Sequence, residues 1–252
     1  GPAQDVVLRA SYSYGFKPPS VGQIAPSLSY DAYFYDEDLG QLYQIPTVVR
    51  GGNPDLSPED SDSISAGLIL TPAALPGLRL SVDYTHIKKN GEIASLWDGL
   101  IADNADLFPG RVERDPDTGR VTFLDSSLVN IDYSVVEAYD IQADYRFQTR
   151  RGTFNLYALA THNTRFERKL TASSSLDEYV GFLDGPLDWS GNLGLTWRQG
   201  PWMLGWNMQY YNDYFVYNAS DSDSPAQIES VSRTQGSPKI PSQHYHDISF
   251  RY

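Results

Sequence analysis

Apolar and polar residues alternate with period two along much of this chain, the pattern of strands that separate two environments. From Val6 the even positions are Val6, Leu8, Ala10, Tyr12, Tyr14 and Phe16, and the odd ones include Arg9, Ser11, Ser13 and Gly15. The same alternation runs through residues 61–70 and 78–85. A longer run sets Ile131, Tyr133, Val135, Tyr139, Ile141, Ala143, Tyr145 and Phe147 against Asp132, Ser134, Asp140, Gln142, Asp144 and Arg146, with Glu137 breaking the apolar side. Residues 153–161, 187–198, 202–210 and 247–252 continue the series, which predicts eight strands and an all-β chain.

The connections alternate in length. Residues 72–77, 148–152 and 199–200 form short links carrying Pro or Gly, as hairpin turns require. Residues 17–58, 89–130, 167–186 and 218–243 form long polar gaps, which are unusual within a compact soluble domain. Short links at one end and long ones at the other predict a transmembrane antiparallel β-barrel, up and down, with short periplasmic turns and long extracellular loops.

Composition supports this reading. The 252 residues include 18 Tyr beside 10 Phe and 5 Trp, and amphipathic rings belong at membrane–water interfaces. A balance of 19 Lys and Arg against 32 Asp and Glu, net −13, excludes nucleic acid as the expected partner. The absence of Cys removes disulfides, Cys-ligated zinc and thiol nucleophiles. The first residues carry no basic, apolar leader, so the expected start is a processed or cut end without a signal peptide. No stretch of about 18 apolar residues occurs, so a membrane would be crossed by strands.

Two motifs sharpen the expectation. Residues 9–20 (RASYSYGFKPPS) and 52–59 (GNPDLSPE) resemble a strand end and the return into the next strand in the barrels of TonB-dependent receptors. Residues 77–87, 108–122 and 130–145 agree with that family in order, although Ala138 stands where the family commonly has Gly. The last residues also resemble outer-membrane barrels, whose assembly machinery reads a terminal aromatic: Ile248, Phe250 and Tyr252 share one face. The resemblance implies that residues 1–252 are the last third of a plugged barrel of about 22 strands, with the N-terminal plug and TonB box absent. It further implies an outer-membrane receptor of a Gram-negative bacterium that imports a scarce ligand (ferric siderophore, vitamin or glycan) with energy from the TonB complex. Its other partners would be outer-membrane lipid and the barrel-assembly machinery.

Within the motif, Gly52, Asn53, Pro54, Leu56, Pro58 and Glu59 are expected to stiffen the chain where strand pairing begins, with a gating or ligand-contact role as the alternative. Loop aromatics Tyr30, Tyr33, Phe34, Tyr35, Tyr43 and Trp97 either stack a flat ligand or pack the loops together, and Tyr30, Tyr33, Tyr35 and Trp97 are the candidate ligand contacts. Acidic loop residues (Asp31, Asp36, Glu37, Asp38; Asp98, Asp103, Asp106, Glu113, Asp115, Asp117; Asp221, Asp223, Glu229) have no metal-loop spacing and read as a solvated surface. Inward Arg9, Arg79, Arg146 and Arg198 are expected to face the plug or water. His86, His162, His244 and His246 match no catalytic or metal motif, and His244 and His246 read as belt residues. No enzyme, cofactor or metal is expected. Two other readings stay open: a self-contained eight-stranded barrel acting as a passive pore or adhesin, and a soluble glycan-binding β-sandwich with Trp189, Trp197, Trp202 and Trp206 buried between sheets.

Overall fold

The computed structural model describes residues 5–36, 38–219 and 225–252. The alternating runs become eight long strands: β1 (Val6–Lys17), β2 (Glu59–Leu70), β3 (Leu78–Asn90), β4 (Tyr133–Thr149), β5 (Gly152–Lys169), β6 (Trp189–Gln199), β7 (Trp202–Tyr211) and β8 (Gln243–Arg251). They pair antiparallel in chain order, so each hydrogen-bonds to the strand before and after it. A ninth short strand, Leu176–Glu178, folds back on β5.

Among the described residues β1 and β8 are the two ends of the path and do not pair, so the sheet does not close as a self-contained eight-stranded barrel must. Among the described residues no second sheet pairs with or covers the tryptophan face either. Trp202 and Leu204 stay exposed, which contradicts a soluble sandwich. The apolar face is exposed along the meander, at Leu8, Tyr12, Ile64, Val82, Ile141, Leu156, Ile248 and Phe250. On the other face Arg9 reaches across β2 to Asp83, with 2.8 and 2.6 Å bonds, so this arginine is satisfied by the wall itself.

β4 runs 17 residues, as its alternation indicates, whereas β5 runs 18, well beyond the alternation over 153–161. The reason lies at Glu137, where the pairing of β4 with β5 shifts register between Glu137 and Ala138. That irregularity re-aims the following side chains, and Glu137 takes bonds from Arg165 (3.3 Å) and His86 (3.0 Å) on its own face. The charge that interrupts the apolar pattern therefore has cross-strand partners on both sides.

The hydrophobic core sits in the connections, which corrects their reading as unstructured polar loops. Strands Leu28–Asp36, Gln41–Arg50, Val121–Asp125 and Val112–Arg114 form a separate four-stranded sheet, with the second and third parallel. It joins the β1–β2 connection to the β3–β4 connection. Ile45, Val48, Ile101 and Leu124 are fully buried there, with Phe34, Tyr43, Val121 and Ile131 around them. Burying each such side chain contributes about 1.5–3 kcal/mol. Short helices Val21–Ile24 and Asp98–Asp103 complete this unit. The other two long connections also meet: rings of Phe182, Phe215 and Tyr217 lie 5.0–5.8 Å apart, and Phe215 N donates to Gly181 O. The last connection carries a helix, Pro225–Gln235, where the polar sequence suggests only loop.

Candidate functional site

The four-stranded unit positions its aromatic side chains by strand alternation. Along Leu28–Asp36, Phe34 and Asp36 point into the core, so Tyr33 and Tyr35 point out, Tyr33 being 75% exposed. Phe34 meets Tyr43 edge to face, with ring centroids 6.2 Å apart. Two of the loop aromatics thus pack the loops, and the rest remain accessible.

Asp36 is the polar centre of this core. It is fully buried and accepts bonds from Tyr43 Oη (2.6 Å), Arg114 Nη1 (2.8 Å) and Leu39 N (3.2 Å). Burial pushes its carboxyl up, but these bonds outweigh it, so the pKa lies below the ordinary carboxylate value. Tyr43 Oη also accepts from Val121 N at 2.8 Å, which ties the two connections through one hydroxyl.

Beside that core a cleft of about 670 Å³ opens, lined by Gly22, Arg50, Gly52, Trp97, Asp98 and Ser126 among others. Arg50 pairs with Asp98, donates to Tyr30 Oη at 3.0 Å, and lies 5.6 Å from the Tyr30 ring centroid. The Asp98 bond raises the Arg50 pKa against the opposing effect of burial, so it is a cation at every relevant pH. Trp97 is 44% exposed and turns its ring over Gly99, where a Cβ would collide with it. Trp97 therefore lines the cleft and Tyr30 adjoins it through Arg50, while Tyr33 and Tyr35 lie on the outer face of the sheet. Arg50 escaped the sequence reading. Its signal was weak: a lone arginine ending an apolar run before two glycines.

The 52–59 motif forms the edge of the cleft and a junction of three segments. Asn53 Nδ2 donates to Leu128 O (2.9 Å), Asn53 N to Gln23 O (2.7 Å), and Ser57 N to Asn130 Oδ1 (2.8 Å). Glu59 pairs with Lys17 at 3.2 Å and accepts from Ile93 N at 2.9 Å. Leu56 is buried, and Pro54 and Pro58 lie exposed on either side of it. A Cβ on Gly52 would run into the carbonyl oxygens of Gly22, Gln23 and Ala25, so only glycine fits.

The acidic residues are in part internal partners: Arg114 bonds Asp38 at 3.4 Å, and Asp115 Oδ1 caps the 115–118 turn through Asp117 N and Thr118 N. Hydrogen bonds from Thr118 and Asp117 hold the Asp115 carboxyl below its usual range. Glu37, Asp221 and Asp223 lie outside the described residues.

A family model described as TonB dependent receptor-like, beta-barrel matches residues 2–252. This chain belongs to that family. The family is one of outer-membrane receptors that transport ligands, not of enzymes. Among solved structures, the ferric enterobactin receptor PfeA of Pseudomonas aeruginosa, in complex with BCV-L6, is similar at 14% identity and TM-score 0.63, over 99% of this chain and 31% of that one. The siderophore receptor PirA of Acinetobacter baumannii is similar at 12% identity and TM-score 0.56, over 98% and 32%. The hemophore receptor HasR of Serratia marcescens follows at 15% identity and TM-score 0.52, over 84% and 32%. At such identities the likeness is one of fold, and the chain spans about a third of the length of each. No curated protein matches the sequence.

In this TonB-dependent receptor barrel segment the final strand presents Ile248 and Phe250 on its apolar face, with Tyr252 just beyond its end, all highly exposed, and the Trp202 ring lies tilted with its centroid 4.5 Å from that of Tyr252. His246 accepts from Trp206 Nε1 at 3.3 Å, and His244 lies 5.1 Å from the Tyr210 ring. Both imidazoles thus sit among aromatic neighbours on the apolar face.

Proposed function

We propose that this chain forms the last third of a plugged outer-membrane barrel of about 22 strands, and that the whole receptor imports a scarce ligand with energy from TonB. The observation that supports it best is the eight-strand meander, apolar on one exposed face and polar on the other, with folded connections at one end only. Unpaired edges in hydrocarbon cost several kcal/mol per backbone group, so β1 and β8 call for neighbouring strands. In this reading the apolar face meets lipid, the polar face meets a plug and water, and the final strand engages the assembly machinery. The cleft at Trp97, Arg50 and Tyr30 contacts incoming ligand at the cell surface. Siderophore, vitamin and glycan are the ligand classes at issue; enterobactin and a hemophore with heme are bound by PfeA and HasR respectively.

Uptake by a Gram-negative strain carrying the receptor, with and without TonB, is the deciding measurement. Accumulation of an iron complex or oligosaccharide that stops when TonB is deleted is expected. Accumulation that continues unchanged in the TonB deletion would contradict energised import.

A further inference from the structure

The polar face of the sheet divides by charge. Over β1–β4 it carries Arg9, Arg79, Asp83, Asp140, Asp144 and Arg146. Over β5–β8, in the half nearest the long connections, its charges are Arg168 at the end of β5 and Asp247 at the middle of β8, and the two rows between them carry none. These cross-strand rows run side by side: Leu159, Asn192, Gln209, Tyr245, and Thr161, Ser190, Tyr211, Gln243. Tyr211 and Tyr245 are 40% and 52% exposed and meet edge to face, with centroids 6.1 Å apart at 73°. The Tyr211 hydroxyl donates to Gln209 Oε1 at 3.2 Å and the Tyr245 hydroxyl to Gln243 Oε1. A recess of about 450 Å³ opens among Gln209, Tyr211, Asn212, Tyr214, Gln243 and Tyr245. In the adjoining connection Lys239 is held by Asp213 at 2.8 Å and lies 4.4 Å from the Phe215 ring.

We propose that this wall is a subsite for a neutral, polyhydroxylated ligand, an oligosaccharide, at the mouth of the receptor; the proposal rests on the receptor reading above and narrows its substrate class. Sugar hydroxyls need donors and acceptors together, and side-chain amides with tyrosine hydroxyls supply both from one residue set. Sugar rings also present C–H faces to aromatic rings, and two tyrosines stand exposed at the recess. A polyanionic iron complex needs counter-charge once it leaves water. No cation stands among the residues that line the recess.

The test uses the whole receptor in outer membranes of a host with and without TonB, with malto-, xylo- and cello-oligosaccharides as probes and ferric enterobactin as the polyanion. Binding of a neutral oligosaccharide is expected, weakened about tenfold by Tyr211→Ala or Tyr245→Ala. Tyr211→Phe and Tyr245→Phe keep the ring and should lose less. Compact migration of each variant on unboiled gels reports that the barrel has formed. Ferric enterobactin uptake without oligosaccharide binding overturns the subsite and leaves the receptor reading intact. Oligosaccharide binding that ignores both alanine variants overturns it as well. So does a lower melting temperature without altered binding, which assigns the tyrosines to packing against a plug. Tyrosine-dependent binding with TonB-independent uptake supports the subsite and sinks the receptor reading instead.

Discussion

Asp36 shows how one side chain organises two connections far apart in sequence. Removing its carboxylate strands the Tyr43 and Arg114 donors in a buried place, so Asp36→Ala should destabilise the four-stranded unit by about 2–4 kcal/mol. Faster proteolysis within residues 28–50 and 98–125, with the long strands still protected, is the expected reading. The same carboxyl predicts a pH dependence. Its folded pKa lies below the unfolded value, so the stability it lends is complete above about pH 4 and is lost as pH falls through the folded value. Amide protection factors in this unit, taken against the intrinsic exchange rate at each pH, should therefore fall on acidification, and less steeply in Asp36→Asn. Tyr179 behaves oppositely: burial pushes its phenol up to about 12, so its contribution holds below pH 10 and disappears between the two values. At the cleft, Trp97→Ala should weaken ligand binding at least fivefold, by about 1 kcal/mol, while leaving proteolysis unchanged because the ring is half exposed. Unaltered affinity would remove Trp97 from the ligand contacts.

The alternation of each long strand was legible because every second residue meets a different environment over ten residues or more. That difference in environment can be checked at one strand. Leu204 lies exposed on the apolar face of β7 and Asn207 on its polar face. Leu204→Arg should lower barrel stability in lipid by about 2–4 kcal/mol if it sits near mid-membrane, and Asn207→Arg far less. Equal losses in urea titrations from lipid vesicles would argue against a lipid-facing side. The connection strands were harder to read. Ala32, Phe34 and Asp36 do alternate with Tyr33 and Tyr35, and Tyr43 with Gln44 and Ile45, but Pro46 and the register shift after Tyr30 break the pattern. A buried aspartate also breaks the apolar face that marks a strand. The signal that survives is the tight turn at Gly40, whose φ is +61°.

On the scale of the molecule, the open edges dominate. Expressed without further strands, this chain should oligomerise or aggregate in detergent, because β1 and β8 expose unpaired backbone along their length. A monodisperse monomer by light scattering would show that it closes by other means. The connections join in pairs, first with second and third with fourth, which places two folded bodies above one end of the sheet. Leu124→Ala, at the parallel seam between the first pair, should cost about 2–5 kcal/mol locally and leave the long strands intact. The chain order of the long strands, their two faces and their turn lengths all follow from local pattern, since adjacent antiparallel strands need only a short turn and a period of two. The 52–59 motif and the terminal aromatics were legible for the same reason, being contiguous. The cleft was not. Tyr30, Arg50 and Trp97 converge only because a parallel pairing brings residues 47–49 to residues 123–125, across more than seventy positions of chain. No local period encodes such a contact. The uncharged tyrosine and amide wall likewise exists only through the register of β5–β8, which lines up residues from four separate stretches.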